Sequence, residues 1–226
     1  MLRTVLAVLC ISSTAVAGSV KGTVLFEGEP PTQEKLKRDS DPKCSKDRPE
    51  EAVVVTKGKL RDVVIRIKNG SGGKHTAPAK AAFIDQKDCM YTPRVIGIIA
   101  GQKLQVRNSD NTFHNVWGTL ANKDLFNKPQ APKAEDLTLD PSTAKAGDVV
   151  ELKCGAHPWM HAYVAVQDHP YFAVTKADGT FEIKGLAIGT YELEAWHPTL
   201  GSKTLKIVIG KAKRGDVSAR FSYKPN

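Results

Sequence analysis

Seven consecutive residues, Cys154-Gly155-Ala156-His157-Pro158-Trp159-Met160, place a thiol, an imidazole and a thioether on one short loop. About forty residues upstream, the run Asn108-Ser109-Asp110-Asn111-Thr112-Phe113-His114-Asn115-Val116 supplies a second imidazole. Together they offer the donors of a trigonal copper site with two His, one Cys and a weak axial Met, the arrangement of blue-copper electron-transfer centres. Soft sulfur favours Cu(I) and imidazole serves both oxidation states, so such a site cycles between them with little rearrangement. Zinc also accepts Cys and His, but structural zinc wants four firm ligands, and the thioether favours copper.

The elements that must position these donors can be read from their neighbours. Cys154 closes a strand whose inward positions are Val150 and Leu152, which aims its thiol into the end of a sandwich. Gly155 and Ala156 permit a tight turn that returns His157 to the same point, and Pro158 stiffens the path that brings back Met160. His114 belongs to a different segment, so the site exists only once the sandwich has folded. Taken singly, His114 reads as a core histidine and Met160 as core filler; the paired loops reverse both readings.

The amino terminus, Met1-Leu2-Arg3-Thr4, precedes an apolar run from Val5 to Ile11 and small residues ending in Ala15-Val16-Ala17. This pattern predicts a cleaved signal peptide over residues 1–17 and a mature chain starting at Gly18. The run is too short to span a bilayer, so no stable membrane insertion is expected. Cys10 raises a lipoprotein reading, but Leu9 is bulky where such a cleavage site wants a small residue. A periplasmic or secreted location follows. It leaves Cys44, Cys89 and Cys154, an odd count in an oxidising compartment. If Cys154 binds metal, Cys44 and Cys89 remain for a disulfide worth roughly 3–4 kcal/mol in the chain-entropy model; two buried free thiols are the other reading.

A formal net charge of +9 suits acidic redox partners or anionic surfaces through long-range steering. The lysines are scattered rather than clustered, which is the pattern of a solvated surface, and an exported chain has no call for nucleic acid.

No long stretch shows helical periodicity. Short runs rich in Val, Ile, Thr and aromatics alternate with Gly, Pro, Asn and Asp clusters, which predicts an all-β chain. Expected strands are 20–26, 52–55, 63–68, 81–85, 95–99, 104–107, 149–154 and 163–167. Residues 120–147 are polar and carry Pro129, Pro132 and Pro141, which reads as a long surface excursion with at most one helical turn. A second unit begins near Asp168-His169-Pro170, with strands at 173–175, 180–183, 189–196, 203–209 and 217–223 and an Asp178-Gly179 hairpin signal. The division is thus a copper domain over 18–167 with an N-terminal extension, and a small β-sandwich over 168–226. The strand at 20–26 is compatible with either.

With these residues quoted, the two loops resemble those of cupredoxins; the short Cys-x-x-His-x-x-Met loop looks most like amicyanin. The resemblance implies a Greek-key β-sandwich, equatorial ligands His114, Cys154 and His157, and Met160 as the axial ligand of one type 1 copper. It also puts Asn115 behind the ligands, its amide tying the two ligand loops together. Asp178-Gly179-Thr180-Phe181 and Gly189-Thr190-Tyr191-Glu192-Leu193 resemble carboxypeptidase regulatory-like sandwiches of the transthyretin type. The whole looks like exported plastocyanin-like proteins, some of them associated with methylamine utilisation.

Several neighbours keep two readings. His161 is either a solvent-facing residue or an alternative ligand that would make the site harder and open to exogenous ligands. Trp159, with Pro158, is either an apolar docking patch beside His157 or a ring packed on the second domain. His169 and His197 each precede a Pro and read as structural; His75 carries no clear signal. Tyr91-Thr92-Pro93-Arg94 reads as a support beside the site, with Arg94 a source of positive field. The leading function is a one-electron carrier serving protein redox partners rather than an enzyme. A copper enzyme with an open position, and a copper carrier or sensor, are the alternatives.

Overall fold

The computed structural model describes residues 17–44, 47–69, 73–210 and 215–225. The expected signal peptide lies outside these residues apart from Ala17. Among the described residues, regular structure is almost entirely strand, with a short 3-10 turn at Pro42–Cys44. No described helix is long and apolar enough to cross a membrane. The all-β class expected from the sequence is the class observed.

Among the described residues, four sheets form two sandwiches. In the one that holds the ligand loops, Lys123–Gln130, His114–Leu120, Val149–Lys153, His161–Gln167 and Val95–Ile99 lie side by side in that order. The facing sheet runs Leu137–Leu139, Leu104–Asn108, Ala82–Lys87, Met90–Thr92. Alternation puts one face of each strand inward: Val150 and Leu152 are buried while Val149, Glu151 and Lys153 are half-buried. They join Ile84, Ile98, Leu104, Val106, Val116, Val164 and Val166 in one core. Each such side chain contributes about 1.5–3 kcal/mol by leaving water.

The second sandwich does not respect the expected division at residue 168. Gly18–Phe26 runs parallel to Val217–Tyr223 and antiparallel to Thr180–Leu186, so it belongs wholly to the C-terminal sheet. Val64–Ile67 likewise pairs with Phe172–Val174 and Gly189–His197, beside Gly201–Ile209. Val20, Val24, Phe26, Leu60, Ile65 and Ile67 share a core with Ile183, Leu193, Ile207 and Phe221. About sixty residues lie near the lower limit for an independent core, and recruiting the N-terminal strands is how this sandwich exceeds it. At its Asp178-Gly179 hairpin, Gly179 has φ +69°, and a Cβ there would sit 2.9 Å from the Val24 carbonyl oxygen. The two sandwiches meet at Val64, Val95 and Ala165, and the Phe172 ring lies where a Cβ of Gly97 would be.

The polar stretch 120–147 also departs from expectation. Lys123–Gln130 continues from His114–Leu120 as a β-hairpin, and Leu137–Leu139 adds an edge to the other sheet. Lys123–Gln130 is itself an edge strand, the position in a sheet where Pro129 removes no required donor. Its outward residues are polar because that face meets water.

Candidate metal centre

His114 opens one strand and Cys154 directly follows its neighbour, with Lys153 opposite Trp117 and Leu152 opposite Gly118. Both side chains therefore reach the same end of the sandwich. The turn after Cys154 is closed by the Met160 N–H donating to the His157 carbonyl at 2.9 Å, which brings His157 over Cys154. His114, Cys154, His157 and Met160 are all buried. Met160 shares its core with Cys154.

Three donor atoms converge. His114 Nδ1 lies 2.9 Å from His157 Nδ1, and Cys154 Sγ lies 3.8 and 3.6 Å from those two atoms. The point equidistant from all three is about 2 Å from each, which matches the roughly 2.0–2.3 Å bonds that imidazole and thiolate make to a divalent metal.

The far side of each ring fixes which atom faces inward. His114 Nε2 is 3.0 Å from Asp110 Oδ2, and His157 Nε2 is 3.0 Å from Asp41 Oδ2. A carboxylate only accepts, so each Nε2 carries its hydrogen and each Nδ1 is left to point a lone pair inward. Two lone pairs and a thiolate cannot face one another across 3–4 Å without a cation between them. Without metal, a proton takes that place. Burial drags both imidazoles down and the thiol up; the Asp110 and Cys154 contacts nonetheless leave His114 above its ordinary value. Burial and the His114 charge leave His157 below its own. Despite its burial, Cys154 is held low by His114 and by the N–H groups of Asn115 and Ala156. Without metal, the contacts thus favour a proton on His114 and disfavour one on His157 and on Cys154.

The surrounding residues hold this arrangement in place. Asn115 Oδ1 accepts from the Gly155 N–H at 2.7 Å and lies 3.4 Å from Cys154 Sγ, while its Nδ2 donates to Asn127 Oδ1. One amide so joins the His114 loop to the Cys154 loop. Asn108 builds the turn before His114, donating to the Thr112 and Ala131 carbonyls and accepting from the Asp110 N–H. Asp110 in turn accepts from the Asp88 and Cys89 N–H groups. Tyr91 Oη sits 3.0 Å from the Lys153 carbonyl and 3.2 Å from that of Asn115, under both ligand strands.

The remaining candidates are placed elsewhere. His161 lies outside the cluster, with Nδ1 beside Glu151 Oε1 and Nε2 on the Pro158 carbonyl, so neither ring nitrogen is available as an alternative ligand. Trp159 does not pack on the second sandwich. It donates to the Cys89 carbonyl, lies 5.2 Å from the His157 ring and is covered by the Arg38 guanidinium; Pro158 is exposed. Arg94 stacks over Tyr163 rather than facing the donors. Cys44 and Cys89 form a disulfide. Their sulfurs fall near His157 and His114 in two further clusters with Asp41 and Asp110, but a bridged sulfur supplies no thiolate there. His169 and His197 support turns, each accepting through Nδ1 the N–H two residues on, past the intervening Pro.

Sequence reasoning passed over the roles of Asp41 and Asp110, whereas Tyr91 was expected as a support beside the site and lies there. Asp110 was detectable in principle, four residues before His114 in a turn rich in Asn. Asp41 lies 116 residues from the ring it touches, and no local pattern announces it.

No protein-family model and no curated protein matches the sequence. Among solved structures the chain is similar to a purple cupredoxin from Nitrosopumilus maritimus, at 25% identity over 38% of this chain and 99% of that one, with TM-score 0.33. It is similar to amicyanin from Paracoccus versutus, at 18% identity over 46% and 97% of the two chains, with TM-score 0.34. A copper-containing nitrite reductase from Thermus scotoductus matches at 13% identity over 65% of this chain and 28% of that one, with TM-score 0.35. The chain is an all-β protein whose structural neighbours are cupredoxins that account for part of its length.

Proposed function

We propose that this protein is an exported type 1 copper protein that carries single electrons between protein redox partners. His114, Cys154 and His157 would hold the metal, and Met160, buried in the same core, would be its weak fourth donor. The observation that carries the reading is the convergence of two Nδ1 lone pairs and one thiolate around a single point, with each imidazole braced from behind by a carboxylate. A soft thiolate with two imidazoles and a thioether suits copper better than zinc. When bound, copper supplies the Cu(II)/Cu(I) couple, taking up or releasing one electron.

The chain's own residues supply rigidity and dryness. Asp110 and Asp41 fix the tautomers of the two rings, Asn115 and Tyr91 lock the strands that bear the donors, and the core beneath excludes water. Donors held in one geometry for both oxidation states keep reorganisation small. A centre with its donors buried on every side offers no position to an exogenous substrate, which is why a carrier is proposed rather than a catalyst. A periplasmic or secreted location is part of this reading, supported by the Cys44–Cys89 disulfide and the amino-terminal pattern. The C-terminal sandwich, transthyretin-like by its motifs, is a docking module in this scheme.

The test is the visible and EPR spectrum of the mature chain loaded with stoichiometric Cu(II). An intense thiolate-to-copper band with narrow hyperfine splitting is expected, and Cys154→Ser should abolish it. Strong blue absorption surviving in the Cys154 variant would sink the assignment.

A further inference from the structure

His157 sits on a loop with exposed residues on both sides, Gly155, Ala156 and Pro158, yet its ring is only 3% exposed. Its cover is not part of the sandwich that builds the site. It is supplied by residues 35–44, which cross the end of that sandwich after leaving the other one. We propose that this segment is a cap over the metal centre, and that Asp41 is a positioning residue which holds the His157 ring, screens its outer edge from solvent and sets the redox balance of the bound ion. The inference rests on the copper reading and deepens it.

The cap is built for one geometry. Asp41 Oδ2 takes the Thr112 hydroxyl at 2.6 Å as well as His157 Nε2, and its Oδ1 accepts from the Lys43 N–H at 2.8 Å. With the Thr112 hydroxyl, the Lys43 N–H and His157 Nε2 all directed at it, this carboxylate presents its negative charge to the outer edge of one ligand. Thr112 is two residues before His114, so one carboxylate ties the His157 ring to the loop bearing the other ligand.

Fastenings on both flanks keep the cap from swinging away. The Cys44 N–H donates to the Asp41 carbonyl, and the Cys44 sulfur is bridged to Cys89, whose own N–H is held by Asp110. Lys43 Nζ reaches the Asn111 carbonyl at 2.7 Å. On the other flank, the buried Arg38 guanidinium donates to the Asp88 carbonyl and covers the Trp159 ring, while Leu36 N–H bonds the Arg48 carbonyl. The disulfide and the buried guanidinium thus fasten the two flanks of a segment whose carboxylate is directed at one imidazole.

Two consequences follow from charge and access. A negative charge on the Nε2 hydrogen makes the imidazole a stronger donor and favours the more highly charged Cu(II) over Cu(I). A ring edge covered by protein also denies water and small anions a path to the metal along His157.

The experiment uses the full mature chain with Asp41→Asn, which keeps shape and an acceptor oxygen, and Asp41→Ala, which removes both. In metal-free protein at neutral pH, nitrogen-15 spectra should show His157 as the Nε2–H tautomer in the wild type and a mixture in Asp41→Ala. Copper-loaded Asp41→Asn should gain at least tenfold in the ratio of Cu(I) to Cu(II) affinity, about 59 mV upward in potential. Azide should perturb the spectrum of Asp41→Ala and leave the wild type unchanged. An unchanged tautomer, potential and azide response in both variants overturns the role of Asp41. If wild-type protein forms no blue centre, the copper reading fails separately, while the tautomer measurement still decides whether Asp41 positions the ring.

Discussion

Lowering the pH should weaken this protein through a histidine remote from the metal centre. His197 is fully buried beneath the C-terminal sandwich's turn. Its Nδ1 accepts the Thr199 and Leu200 N–H groups at 3.1 and 3.2 Å, and its Nε2 finds no hydrogen-bond partner. Protonation would put a charge where there is neither water nor a carboxylate and would turn an acceptor into a donor facing two donors. Burial first, and the nearby Arg94 charge second, lower its value from 6.5 to about 4. Between those limits the unfolded chain binds a proton that the folded chain refuses, so stability rises with pH across that window. It is fully retained above the unfolded value and falls until about pH 4 is reached. At about 1.36 kcal/mol per unit, the loss is about 3 kcal/mol, a large share of a typical domain's 5–15 kcal/mol. Urea unfolding of the metal-free protein, run at intervals from about pH 7 to pH 4 on wild type and His197→Gln, isolates the effect. Gln keeps an acceptor and does not titrate, and His114 and His157 are common to both proteins and cancel. The stability gap between the two should change by about 3 kcal/mol in favour of the variant as pH falls. Parallel curves would refute the account.

Two further perturbations address the metal centre and its surroundings. The Cys44–Cys89 bridge spans a sequence separation of 45, so the paired change Cys44→Ala with Cys89→Ala should cost about 4 kcal/mol by loop entropy; a urea midpoint that does not move would show that the cap is held without it. Met160→Leu should keep an intense blue band because the three equatorial donors remain, while the measured potential rises as the thioether is lost; disappearance of the band would make Met160 an essential ligand rather than a weak axial one.

The donors were legible because ligand chemistry on the Cys154 loop is local. Three of the four proposed ligands lie within seven residues, and His114 follows an Asn-rich turn whose purpose Asn108 makes plain. The inward alternation of Val150 and Leu152 was legible for the same reason, since a strand's period needs only its own residues. What stayed hidden depends on contacts distant in sequence. The strand at 18–26 looks alike in either sandwich, and only its partners at 180–186 and 217–223 assign it. The hairpin strand at 123–130 was masked by Pro129 and by polar residues, because an edge strand facing water has no hydrophobic alternation to read. Asp41 was invisible because its neighbours Asp39, Ser40 and Pro42 look like any polar loop.

The strands Val64–Ile67 and Phe172–Val174 are antiparallel neighbours, with Arg66 opposite Phe172. The chain leaves the outer sandwich at one and re-enters at the other, so the metal-bearing sandwich occupies the place of a hairpin loop. Two backbone tethers that start side by side, with the Cys44–Cys89 bridge as a third covalent link, permit far less swivelling than one linker, and the Phe172 ring seated on Gly97 tightens the joint. A partner that grips the outer sandwich would thereby also orient the proposed copper centre. The same topology makes the host separable in principle. A short turn joining residues 68 and 170 would close the hairpin, because the entropy of a loop depends only on the logarithm of its length.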